Sequence, residues 1–334
     1  MILVALLIPS VLAGLRDYSI GTDISVYGNI WFQNAIQSKD IFTYLKWASS
    51  SDIGIVYAIL NYIVSVFTTD PHWFYFTLSF ITIGFTYKTA IDNKDLVNVP
   101  FSMLVYYLLF YNQSLNLLRQ SLAMVFVACT FKYLRTKNLG MIGLFSVLAV
   151  LTHSSAIIVV AIIATYFSVN SNYKTIAKIS IIAASFISVL FLNQLIELLV
   201  HLKFLTSRYE SYLSVYQRGG GYVRLFLLCI PYLLLMITCN KKNQNVHRSL
   251  TYYLIMATFL SFLAFRMTYL SRIAYYFDIF LIITIPFIDM NSNLKIRIKS
   301  IELNRIILII MVFAYWVYVY VYTNSGNTIP YIFS

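Results

Sequence analysis

The chain predicts an all-α fold: a polytopic bundle of about eleven transmembrane helices, twelve if one ambiguous segment also crosses, with external loops carrying short interfacial helices. Three observations lead there. Of 334 residues, 60% are hydrophobic and only 11% charged, with mean hydropathy +0.77, whereas a soluble domain carries about 25% charge. Apolar segments long enough to enter or cross a bilayer run the length of the chain. The 24 basic residues outnumber 12 acidic ones but are scattered in short connections. That pattern reads as a topology signal and excludes nucleic acid as a partner.

The first segment, 1–14 (MILVALLIPSVLAG), is short for a span of about 20 residues. It reads as a short signal-anchor or the end of a longer helix. Further spans are expected at 72–90, 99–114, 117–134, 138–152, 155–169, 175–193, 222–239, 249–267, 270–289 and 304–322. Segment 53–68 is the ambiguous one. Its Val56, Ile59, Leu60, Ile63, Val64 and Phe67 repeat at helical spacing with Asn61, Tyr62 and Ser65 opposite, the pattern of a helix lying in the interface. With 53–68 flat and the N-terminus inside, 14 basic residues fall in five short inner loops: Lys88/Lys94, Lys132/Arg135/Lys137, Lys174/Lys178, Lys241/Lys242/Arg248 and Lys295/Arg297/Lys299/Arg305. One membrane domain, 1–334, fills the chain, with long external loops at 15–71 and 194–221, the second ending in a flexible Gly219–Gly221 joint. Cys129, Cys229 and Cys239 lie in apolar segments without metal or redox spacing and read as small apolar fillers. Most of the 28 tyrosines fit an aromatic interface belt.

Under this threading Arg16, Asp23, Arg119, His153, Arg266 and Arg272 all reach the non-cytoplasmic side. Charges at such depths are functional candidates. Asn112, Asn116, Arg119 and Gln120 fall at spacings of three and four, roughly one helical face, and a guanidinium there suits phosphate or carboxylate; the plainer reading is an arginine snorkelling to headgroups. His153 ends the next span, at the depth of Arg119, and suits acid/base work or a helix cap. In Arg16–Asp23 (RDYSIGTD), Gly21 lets the backbone fold back over the helix end. Arg16 could meet an anion there, or pair locally with Asp17 or Asp23. Tyr269, Arg272 and Tyr276 share a face, while Asp278 lies about 12 Å into its span, where a structural ion pair is the favoured reading. Glu197 and His201, followed by Arg208 and Glu210, read chiefly as the wet face of an interfacial helix. No phosphate-binding loop, zinc motif, nucleophile elbow or dinucleotide fingerprint is present, and nothing calls for a metal or other cofactor.

Across SLNLLRQSLAMVFVACTFKYLRTKNLGMIGLFSVLAVLTHSSA the chain resembles the EpsG family of bacterial membrane proteins, related to the Wzy-type polysaccharide polymerases. The resemblance rests on RDYSIGTDISVY after the first helix, on Asn116 with Arg119-Gln120, on His153-Ser154-Ser155-Ala156, on Arg272-Ile-Ala-Tyr-Tyr-Phe, and on Ile329-Pro330-Tyr331. The chain departs in its short first helix and at 43–54, where Asp52 stands near an expected Glu-Pro-Gly-like turn. The resemblance implies a glycosyltransferase similar to the GT-C class. Such an enzyme polymerises an extracellular, capsular or O-antigen polysaccharide from undecaprenyl-pyrophosphate-linked repeat units at the outer face of the bacterial cytoplasmic membrane. A chain-length regulator and a flippase are the protein partners it implies. Arg119 and Arg272, with Arg16 or Arg266, would hold the pyrophosphate. His153 or Asp23 would deprotonate the attacking hydroxyl, and Asn116, Gln120, Tyr276 and Arg208 would bind substrate. Three rivals are distinguishable. A flippase would carry its charges to the membrane midplane, a membrane O-acyltransferase would face its His and Arg to the cytoplasm, and a structural export subunit would not need an interior arginine cluster.

Overall fold

The computed structural model describes residues 2–51, 53–172, 221–237, 243–265, 268–291, 297–298 and 301–334, with single positions at 175, 176, 180 and 184. The expected span 175–193 therefore lies almost wholly outside the described residues. So do loop 194–220 with Glu197, His201, Arg208 and Glu210, and also Asp52 and Arg266. Among the described residues the regular structure is helical apart from a two-residue antiparallel pair, β1 (Arg297–Ile298) with β2 (Ile301–Glu302). It forms two compact units: Met1–Ile157 with Leu281–Met290 and Arg297–Ser334, and Ile158–Phe280 with Asn291–Ile296.

The first unit is built around α8 (Leu118–Thr136), buried on every face from Gln120 to Phe131. Its middle stretch, Leu122–Cys129, is apolar all round and so belongs in a core. It ends at Lys137 in the left-handed region (φ 55°), and Asn138 then caps α9 (Leu139–Thr152) by accepting from the Met141 N–H at 3.1 Å, closing the expected hairpin. On its other side α8 packs against α5 (Pro71–Asp92), which packs against α1 (Ile2–Gly14). Asp70 caps α5, and Pro71 sits in the first turn, where its missing N–H is harmless. The expected span 99–114 is α6 (Val99–Tyr106), a wide π turn at Tyr107–Tyr111, and α7 (Asn112–Asn116).

Loop 15–71 is more regular than the sequence reading held. A π turn at Ile24–Gly28 leads into α2 (Asn29–Gln37), followed by α3 (Ile41–Ser50), capped by Asp40 accepting from the Thr43 N–H at 2.8 Å, and by α4 (Ile55–Phe67). Helix α4 buries Tyr57, Ala58, Asn61 and Val64 and leaves Ile63, Val66 and Phe67 exposed. Asn61, expected on the outer face, is completely buried, because α2, α3, α5 and α9 pack against that side.

The second unit holds α10 (Val159–Val169), entered through a 3₁₀ turn at Ser154–Ile158, with α11 (Gly221–Ile237), α12 (Gln244–Leu263) and α13 (Thr268–Asp278). Helix α12 is its centre, and the buried Tyr253 hydroxyl donates to Ile162 O at 3.2 Å. The expected span 270–289 appears as Leu270–Asn291, with a turn inside it. Asp278 ends α13, a turn follows at Ile279–Phe280, and α14 (Leu281–Asn291) begins beyond it. The chain closes with α15 (Leu303–Trp316), a π turn to Tyr322 and an extended tail. Among the described residues, Leu270–Asn291 and Leu303–Tyr322 are long and apolar enough to cross a membrane alone; the apolar helices at 3–14, 55–67, 139–152, 154–169 and 222–237 are shorter.

Candidate active site

The site assembles where α7 gives way to α8. Leu117 (φ −88°, ψ 68°) breaks the helix, and that break redirects the polar run 112–120. The four polar residues expected on one face are parted by it. Asn112 turns to the C-terminal segment, accepting from Trp316 Nε1 at 2.9 Å and donating to Thr328 Oγ1 at 3.1 Å. Asn116 Oδ1 accepts from Thr22 N and Thr22 Oγ1 at 2.9 and 2.6 Å. Arg119 enters the first turn of α8, and Gln120 is buried in the core.

Loop 15–23 folds over the break, as the Gly21 turn suggested. Gly21 has φ +87°, and a Cβ there would collide with the Leu115 carbonyl. The same carbonyl accepts from Arg16 Nη1 at 2.7 Å. Arg16 is 1% exposed, with its guanidinium over the Tyr75 ring at 4.8 Å. Burial pushes its pKa down, against the opposing influence of Tyr75, Tyr111 and Tyr331. Neither local carboxylate pairs with it. Asp17 accepts from Ser19 N and Oγ at 2.9 and 2.6 Å, which holds its carboxyl below the usual range, and Asp23 accepts from the Tyr27 hydroxyl.

Arg119 lies over two rings, 5.0 Å from Tyr27 and 4.6 Å from Trp31, which stack on each other at 4.2 Å. Tyr27 therefore links the carboxylate of Asp23 to the guanidinium of Arg119. Tyr57 abuts Trp31 edge-on at 5.9 Å, and its buried hydroxyl feels both Arg119 and Asp23. His153 stands at the same end of the α8/α9 hairpin as Arg119, half-buried, with its Nδ1 2.8 Å from Ser155 Oγ. Gly54, before α4, touches Thr152 so closely that a Cβ would overlap its carbonyl, which pins α4 to the turn carrying His153.

In the second unit Arg272 is half-buried and Tyr276 fully buried on α13. Asp278 makes the structural pair the sequence favoured. Its partner is Arg224 of α11, which lies over the Tyr275 ring at 4.3 Å and donates to Ser271 O at 3.3 Å. Arg224 carries no motif, and only its position one turn into an apolar segment marks it. The sequence reading also passed over His72, whose Nδ1 is 2.7 Å from Asp70 Oδ1 and whose ring stacks on Tyr18 at 4.7 Å; the Asp-Pro-His order was the available signal. Among the described residues no cluster of three His, Cys, Asp or Glu could hold a metal.

The profile of the EpsG family matches residues 1–333. The chain belongs to the EpsG family. This is a Wzy-type polysaccharide polymerase family, and membership together with the apolar helices points to a membrane protein of polysaccharide biosynthesis. No curated protein and no solved structure matches the chain. Within an EpsG-family protein, an arginine on an aromatic platform that also holds a carboxylate, with a histidine at the same end of the hairpin, suits a reaction whose leaving group is anionic.

Proposed function

We propose that this protein polymerises an extracellular, capsular or O-antigen polysaccharide, moving the growing glycan from undecaprenyl pyrophosphate to the non-reducing end of an incoming lipid-linked repeat unit. The reaction takes place at the outer face of the cytoplasmic membrane, on a bundle of the GT-C kind. The observation that carries this reading is the placement of Arg119, a cation fixed on Tyr27 and Trp31 at a helix break, with Asp23 hydrogen-bonded to the same platform. In the transfer, the bond between the sugar anomeric carbon and the pyrophosphate oxygen breaks and its electron pair leaves with the lipid pyrophosphate. Arg119 offsets the charge that develops there, with Arg272 as a second cation. The acceptor hydroxyl forms the new bond, and its proton passes to His153 or Asp23. Asn116 and Gln120 flank Arg119 in sequence, and Arg16 braces the Leu115 carbonyl on which the break is built.

A carbohydrate profile of a deletion strain tests the reading, complemented with wild type, Arg119→Ala or His153→Ala at matched protein level. Wild type restores long polymer, while Arg119→Ala leaves single repeat units on the lipid. Repeat units held on the cytoplasmic leaflet would make the protein a flippase. Normal polymer lacking only a modification would make it an acyltransferase.

A further inference from the structure

Arg16 presents a separate problem, because it is a guanidinium buried in the first unit with no carboxylate to answer it. Among the described residues its hydrogen-bonding partner is the Leu115 carbonyl, its ring partner is Tyr75, and no Asp or Glu lies within ion-pair reach. The groups whose charge it senses are four tyrosines, Tyr57, Tyr75, Tyr111 and Tyr331. Backbone and phenol dipoles soften the burial of a cation but leave its net charge in place. Its Nε, at an atom fully shielded from solvent, finds no hydrogen-bond acceptor.

Arg16 also lines a cavity. The lining includes Arg16, Tyr75, Ser79, Thr82, Ser114 and Leu115. Ser79 is 8% exposed, and its hydroxyl is likewise shielded and without a partner. Thr82 and Ser114 have spent their protons on the Leu78 and Tyr111 carbonyls, at 2.8 and 2.7 Å. The cavity has room for about one water-sized sphere. Two residues with an unsatisfied buried donor, one of them charged, thus line a space for one small particle, and that lining includes no Asp or Glu. A phosphate is too large for this space. A water fits but leaves the positive charge uncompensated.

We infer that the cavity between Arg16 and Ser79 binds one small monovalent anion of the halide class, chloride being the abundant one, as the counter-ion of Arg16. This goes beyond the polymerase reading and does not depend on it. The anion neutralises the cation that holds the Leu115 carbonyl, and so stabilises the break from which Arg119 projects.

The test is thermal unfolding of the purified full-length protein in detergent, at constant ionic strength, with sodium chloride or bromide replacing sodium gluconate. The melting temperature should rise saturably, by about 4 °C at a hundred times the half-saturating concentration. Ser79→Ala, which removes one donor from a site that otherwise remains packed, should shift half-saturation several-fold upward. Arg16→Gln should abolish the halide response. Equal melting temperatures of the wild type in chloride, bromide and gluconate would overturn the inference. So would a response to sodium pyrophosphate with none to chloride, which would place Arg16 in the pyrophosphate site instead. Neither outcome touches the polymer profile of Arg119→Ala, so the two readings fail separately.

Discussion

At the scale of single residues, the distinction between an arginine that acts and one that supports comes from what surrounds it. Arg119 is half-buried on two stacked rings, Arg16 wholly buried on a carbonyl and one ring, Arg224 buried against Asp278. The planar guanidinium of Arg119 can stack and still present a fork of donors, which an ammonium cannot do. Arg119→Lys therefore keeps the charge yet loses the platform, and polymerisation in membrane preparations falls by about 10–100-fold, against roughly a thousand-fold for Arg119→Ala. Equal activity of Arg119→Lys and wild type would remove the platform from the mechanism. A different charge reports on the opposite end of the unit. Burial pushes the Asp95 carboxyl up, but the hydrogen bond and charge of Arg135 outweigh it and hold the group below the usual carboxylate range. A depressed carboxylate stabilises above its unfolded pKa of about 3.9 and loses that contribution as pH falls through the lower folded value. With the Asp95 side chain 53% exposed, solvent keeps the gain under about 1 kcal/mol. Asp95→Asn thus melts about 1 °C below wild type at pH 7, with the gap closing only in strong acid.

At the scale of elements, sequence and structure agree wherever an unbroken apolar run meets a cap. The expected 72–90, 138–152 and 304–322 appear as Pro71–Asp92, Leu139–Thr152 and Leu303–Tyr322 because Asp70, Asn138 and the apolar run itself fix their ends. Helices α2 and α3 were not legible in the same way. The buried Trp31, Phe32 and Ala35 of α2 are mixed with Asn29, Gln33 and Asn34, and only Asp40 with Thr43 gave a start signal. The break at Leu117 falls where the expected spans 99–114 and 117–134 part, but periodicity could not foresee what covers it, Gly21 and Thr22 docking on Leu115 and Asn116 over 90 residues away in sequence. The site was legible as a set of misplaced charges, while its aromatic platform existed only after folding. Two glycines hold these elements at contact distance. Gly21→Ala adds a Cβ against the Leu115 carbonyl in a backbone region costly for alanine, and Gly54→Ala adds one against the Thr152 carbonyl. Each variant should lose more than ten-fold in polymer yield at matched protein level, whereas Gly143→Ala, which meets open space within α9, should behave as wild type.

At the scale of the whole molecule, the first unit contains a parity argument about the ambiguous segment 53–68. The extended C-terminal tail returns to the end of α1: Asp17 N donates to Ile332 O at 2.9 Å, Ser334 N to Leu15 O at 3.1 Å and Gly21 N to Asn327 O at 3.1 Å, while Tyr331 donates to Leu12 O. Residues 15–21 and 327–334 must therefore lie on one side of the membrane, so the chain crosses an even number of times between them. The ten spans expected from 72–90 to 304–322 satisfy that condition. An eleventh crossing by α4 violates it. Helix α4 has 13 residues, about 20 Å of rise against a hydrocarbon core of about 30 Å, and Gly54 holds its start against the turn that carries His153. Single cysteines at Lys39, Thr68 and Ser154, in a chain freed of its own cysteines, should thus all react with a membrane-impermeant thiol reagent added to intact cells, while one at Asn243 should react only after permeabilisation. Labelling at Lys39 with protection at Thr68 would show that α4 crosses, and the tail could then reach α1 only if another expected span did not.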